Sequence, residues 1–324
     1  MSMFDLQLRM YLTLALVFAV GFGLIYIVMV YLGAGLVVIL PLAALFFLAQ
    51  WYLSPELLKA SAKLHYLTDS ENPKLHRLVE ELAKKAGVPV PKIAIAPTSV
   101  PNAFVFGRTV KSATLVVHEG LLGMLDDSEL KAVLAHEIGH LKHDDVWVMT
   151  FVAFIPMIGW ILAQNLFYGG LMGNRNGTAT LIAIGMAGFI VYFVSQIMTL
   201  SLSRLRETYA DEYSAVSTGA PEHLATSLLK ITGSNAGASQ KQQAGSQTVA
   251  RNFYLVDGSS SKGEMQEIEA HREDIRRLLP NVDVDAMISM AKEESRSFGI
   301  SSLFATHPPT YKRLLFLAQL KKSL

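Results

Sequence analysis

The chain has 324 residues, of which 51% are hydrophobic and 17% charged, below the roughly 25% charge of an ordinary soluble domain, and this excludes a disordered or fibrous protein. It contains no cysteine, which excludes disulfide scaffolds, thiolate zinc sites, cysteine nucleophiles and iron–sulfur clusters. A formal net charge of +1 supplies no global attraction to nucleic acid, and no nucleic-acid partner is expected.

After a short tail (1–10), no Asp, Glu, Lys or Arg occurs from Tyr11 to Trp51. A bilayer core needs about 20 helical residues, so this stretch accommodates two crossings, with Gly33-Ala34-Gly35 as the turn. It is too long for a secretory signal, whose apolar core runs to about 15 residues. The reading is a first transmembrane hairpin over 11–53.

A polar segment, 54–145, follows. Asn72-Pro73 reads as an N-cap followed by a proline in the first turn, and the helical period of Lys74 to Ala86 stops at Gly87. Three short β-rich runs come next, Lys92–Ala96, Ala103–Phe106 and Thr114–Val117. Asp126, with Glu129 three residues on, forms a capping box that opens a helix continuing through His136 toward the membrane.

Two further uncharged runs, Val146 to Asn174 and Asn176 to Ser203, flank Arg175 and predict a second transmembrane hairpin over 146–203. The remainder, 204–324, should fold with 54–145 as one domain interrupted by that hairpin. Within it, the Ser-, Gly-, Gln- and Ala-rich stretch 234–262 reads as a mobile loop, and Leu314 to Leu324 as an amphipathic closing helix. Arg9, Lys59, Lys63, Lys142, Arg204 and Arg206 flank the runs on one side, whereas the turns hold only Arg175. The positive-inside rule then places both termini and the polar domain in the cytoplasm, on a multi-pass protein of the cell membrane.

The strongest chemical signal is His136-Glu137-Ile138-Gly139-His140. Helix positions four apart lie about 40° apart around the axis, so both imidazoles can reach one Zn²⁺. Glu137 projects beside them and can contact a metal-bound water without being a ligand. A catalytic zinc needs a third protein ligand and an open position. Glu207 is the best candidate, and Asp211, on the same helix face, can accept the remaining N–H of a ligand histidine. His140 and Glu207 both stand within about 10 Å of one membrane surface if the hairpin is antiparallel. Lys131, Lys142, Asp144 and Asp145 bracket the motif, which argues against a site buried in lipid. His143 faces a different side of the helix from His136.

These motifs, with Tyr209-Ala210, Pro101-Asn102-Ala103-Phe104 and Thr306-His307-Pro308-Pro309, resemble the HtpX family of membrane zinc endopeptidases, which is related to the CAAX prenyl proteases. The resemblance runs along nearly the whole chain. It implies a mainly α membrane protein whose cytoplasmic α+β, zincin-like domain carries a small sheet. It implies His136, His140 and Glu207 as ligands to one zinc ion and Glu137 as the catalytic carboxylate. It further implies that Asn102, Ala103, Phe104, Val105 and Phe106 form an edge strand that binds substrate backbone, and that His307 stabilises the oxyanion. The implied partners are the lipid bilayer and unfolded or membrane-protein substrates, cut in the course of protein quality control. Competing expectations are a prenyl-protein processing protease and a non-enzymatic membrane scaffold around a structural zinc. Oligomeric state is not legible.

Overall fold

A computed structural model of the chain describes residues 62–145, 178–237, 268–278 and 307–324, with isolated positions elsewhere. Two compact units emerge, one drawn from Met1–Leu53 and Trp147–Leu205, the other from Ser54–Val146 and Arg206–Leu324.

The second unit is built on a small mixed sheet. Its strands are β1 (His65–Tyr66), β2 (Lys92–Ala96), β3 (Ala103–Phe106) and β4 (Thr114–His118), in the order β1-β2-β4-β3. β2 and β4 run parallel, whereas β1 and β3 pair antiparallel at the two edges. The three longer strands coincide with the β-rich runs read from the sequence. The two-residue β1, whose His65 and Tyr66 lie opposite Ile95 and Ala94, does not, because two residues leave no periodic trace.

Strand alternation divides the apolar residues between two faces. Ile93, Ala103, Val105, Leu115 and Val117 join the main core, and Ala94, Ala96, Phe104, Phe106 and Val116 pack with Leu58 on the other side. Burial on both faces explains why these strands read as continuous apolar runs.

Helix α1 (Pro73–Ala86) begins where the Asn72 side chain accepts the Leu75 N–H, and stops at Gly87, whose φ of 72° is left-handed. Leu75, Val79, Leu82 and Ala83 form its core stripe. After a short α2 (Glu119–Met124), α3 (Asp127–Lys142) opens with the expected reciprocal cap. Asp126 accepts the N–H groups of Ser128 and Glu129, and Glu129 accepts the Asp126 N–H at 3.0 Å.

The helix runs through His136 as expected. The helix ends at Lys142, and Asp144 takes a left-handed φ of 57° that turns the chain.

Helix α4 (Thr178–Thr218) is 41 residues long and, among the described residues, is the one helix long and apolar enough to cross a membrane. Most of the first hairpin expected over 11–53 and most of Val146–Asn174 lie outside the described residues. Gly219, with φ of 69°, and Pro221 separate α4 from α5 (Pro221–Gly237). Residues 234–237, read as the start of a loop, are therefore helical, because α5 carries its turns through them; 238–262 lie outside the described residues. Two more helices are described in this unit, α6 (Arg272–Leu278) and α7 (Thr310–Lys321), and α7 packs on both α5 and α6. It starts four residues before the expected Leu314.

Candidate metal centre

Helix α3 supplies His136, Glu137 and His140; α4 supplies Glu207 and Asp211; the segment before α7 supplies His307. Small and hydroxyl residues set the spacing of the first two helices. A Cβ on Gly139 would lie 3.2 Å from the Cα of Ala210 and 3.2 Å from the Tyr213 ring, so the missing side chain permits a close approach. Ser214 Oγ donates to the Ala132 carbonyl at 2.7 Å, and Ser227 Oγ of α5 donates to the Glu129 carbonyl at 3.2 Å. These bonds fix α3 against both neighbours.

The outcome is a convergence of two imidazoles on one carboxylate. His136 Nε2 is 3.5 Å from Glu207 Oε2, and His140 Nε2 is 3.5 Å from Glu207 Oε1. The two rings stand nearly perpendicular, at 89° with centroids 4.8 Å apart. One ligand atom from each of these three residues lies within 4.8 Å of the others. A tetrahedral ion about 2.0–2.2 Å from each ligand separates them by roughly 3.3–3.6 Å, which the two imidazole–carboxylate distances match. His136 Nε2 and Glu207 Oε2 are buried and make no hydrogen bond among the described residues, as a pair prepared for a cation requires.

Outside this triangle lies a second layer of charge. His136 Nδ1 faces Asp211 Oδ1 at 2.9 Å, and Asp211 is gripped through two nitrogens by Arg313, Nε at 2.8 Å and Nη2 at 2.6 Å. His140 Nδ1 hydrogen-bonds Asp145 Oδ2 at 2.6 Å, and Asp145 Oδ1 is 2.7 Å from Arg206 Nε. His307 Nδ1 stands 3.1 Å from Glu207 Oε2.

The electrostatics follow from this arrangement. Burial works to raise the Glu207 carboxyl, but the His307, His136 and His140 imidazoles hold it well below the usual carboxylate range. Burial also opposes charge on His136, yet Asp211 and Glu207 push it up to about 9 in the absence of a cation. Glu137 is raised above the ordinary value, chiefly by burial, with the neighbouring imidazoles pulling the other way.

Sequence and structure meet unevenly here. His136, His140, Glu207, Asp211 and His307 come together in one cluster, buried at His136, Glu207 and Asp211 and half-buried at the other two, with Glu137 beside them. Asn102 precedes β3, and Ala103, Phe104, Val105 and Phe106 form it, at the edge of the sheet and packed against α3. His143 lies against the Tyr209 and Tyr213 rings at 5.2 and 6.4 Å. Asp145, Arg206 and Arg313 join the site without a motif to mark them. In the sequence the first two are polar flanks of apolar runs, although charged groups at such ends need partners once buried.

Comparison with known proteins is consistent with this geometry. A profile described as peptidase family M48 matches residues 69–321. The chain is 38% identical over 234 residues to a protease HtpX homolog of Methanothermobacter thermautotrophicus, covering 71% of this chain and 87% of that protein. It is 31% identical over 323 residues to a protease HtpX homolog of Methanocaldococcus jannaschii, covering 98% of each. Among solved structures, S. mikatae Ste24p aligns with a TM-score of 0.51 at 17% identity, over 97% of this chain and 66% of that one, a likeness of fold.

Proposed function

The chain belongs to peptidase family M48 and is a zinc metalloprotease, and from that premise we propose that it cleaves misfolded or damaged membrane proteins at the cytoplasmic face of a cell membrane. The observation that carries the reading is that His136, His140 and Glu207 bring ligand atoms within 4.8 Å of one another, each imidazole 3.5 Å from a Glu207 oxygen.

In this reading His136, His140 and Glu207 hold the ion. When bound, zinc supplies Lewis acidity, making water nucleophilic near neutral pH and polarising the scissile carbonyl. Glu137 accepts the proton of the attacking water and hands it to the departing amine nitrogen. Its burial suits both steps, because a carboxyl raised above its ordinary value keeps the proton long enough to deliver it. With His307 Nδ1–H directed at Glu207, the buried Nε2, without a hydrogen bond among the described residues, donates to the developing oxyanion when the ring carries both protons.

Substrate backbone is assigned to β3. The bond from the His118 N–H to the Asn102 carbonyl sets the antiparallel alternation, which turns the backbone groups of Phe104 and Phe106 toward β4 and those of Ala103 and Val105 toward the outer edge of the described sheet. An extended peptide adding there draws affinity from main-chain bonds, which tolerates varied sequences. Four crossings, over 11–53 and 146–203, would anchor the protein and hold this domain near membrane-proximal loops. The helix Thr178–Thr218 supports the last crossing.

The test is proteolysis by purified protein against an unfolded soluble protein, a membrane-anchored unfolded reporter and a prenylated C-terminal peptide. Cleavage of the anchored reporter in preference to the other two, with loss of at least roughly 100-fold in Glu137→Gln at unchanged zinc content, is the expected result. Normal turnover by Glu137→Gln refutes the assignment of the base, and preference for the prenylated peptide refutes the substrate class.

A further inference from the structure

We propose that Asp145 and Arg206 act as a positioning pair that aims His140 at the metal. The inference rests on the reading of His136, His140 and Glu207 as zinc ligands. An ionised carboxylate has no proton to donate, so the 2.6 Å bond to Asp145 Oδ2 puts the hydrogen on His140 Nδ1. The Nε2 lone pair is then left facing Glu207, 3.5 Å away.

Asp145 reaches His140 because the helix does not continue. The left-handed Asp144 turns the chain after Lys142 and returns the next carboxylate to the ring five residues earlier. Arg206 then fixes Asp145 from the other helix at 2.7 Å. Since Arg206 directly precedes Glu207, one turn of α4 carries both a ligand and the anchor of the other ligand's partner. The pair thus ties the orientation of His140 to the register of α4.

Two further observations favour positioning over simple adhesion. Both side chains are buried, and a buried ion pair is weak evidence for stability, since an apolar pair of similar volume serves the fold as well. The arrangement also mirrors the other ligand, where Asp211 faces His136 and is itself gripped by Arg313. Each imidazole therefore has its own aspartate, and each aspartate its own arginine.

The experiment measures zinc affinity of the full chain by competition with a chelator, alongside thermal unfolding of the zinc-free protein. Asp145→Asn leaves Arg206 uncompensated and should weaken zinc binding roughly 10–100-fold. The double variant Asp145→Leu/Arg206→Met removes both charges together. It should unfold near the wild-type temperature without zinc and still show the same loss of affinity. Wild-type zinc affinity in the folded double variant overturns the proposal, and so does a loss of affinity that only tracks loss of folding in the zinc-free protein. Failure of the wild-type chain to bind zinc overturns the ligand assignment itself.

Discussion

Glu207 sits where opposing residue-level forces meet. Burial disfavours its charge, and three imidazoles restore it, so the carboxylate is held ionised without a cation in place. Glu137, one position from His136 on the same helix, has the opposite balance and is raised. Two carboxylates in one site are thereby assigned different tasks by their surroundings, ligand and proton carrier. Asp126 shows the same logic at the start of α3. Its carboxylate accepts the Glu129 and Ser128 N–H groups and is lowered, by the Glu129 bond first. The stability this cap contributes is present above the ordinary aspartate value of about 3.9, and is lost as pH falls through the lower folded-state value. Asp126→Ala should cost about 1 kcal/mol by denaturant unfolding at pH 7, and the deficit should shrink as pH falls below the ordinary aspartate value. A deficit independent of pH contradicts the cap.

Elements divide into those whose ends carry chemical punctuation and those shaped by tertiary contact. α1 and α3 were legible because Asn72, Gly87, Asp126 and Glu129 mark their ends in residue chemistry. The end of α3 was not, because it depends on a left-handed aspartate, a conformation no sequence pattern demands. β1 escaped notice for a related reason, since two residues carry no period. At the site, His136, His140 and Glu207 were readable from spacing, whereas Asp145 and Arg206 became partners only when the chain turned at Asp144. Arg313 depends on the docking of α7 against α5. The close approach of α3 and α4 is likewise a tertiary property resting on one side chain. Gly139→Val places carbon against the Ala210 backbone, where it cannot be accommodated by a rotamer change. It should cost roughly 1–3 kcal/mol and loosen zinc binding, both measured on the purified protein. Unchanged stability and zinc affinity would show that the contact does not set the helix spacing.

For the whole molecule, the division into two units follows the composition of the chain. One unit draws on the uncharged runs and the other on the polar segments that they interrupt. The absence of cysteine makes the proposed topology directly testable. Single cysteines introduced at Arg175 and Ser323 should react differently with a membrane-impermeant thiol reagent in intact cells. The turn position should label from outside and the C-terminal position only after permeabilisation. Labelling of both from outside rules out a cytoplasmic protease domain.

The proposed chemistry depends on one ion held by three side chains from two distant stretches of sequence. X-ray diffraction from the purified zinc-loaded protein, recorded on both sides of the zinc absorption edge, locates that ion independently of any assay. The predicted result is a single anomalous peak about 2.0–2.2 Å from His136 Nε2, His140 Nε2 and a Glu207 oxygen, with the fourth position free of protein ligands. A peak elsewhere, or a fourth protein ligand closing the site, contradicts it.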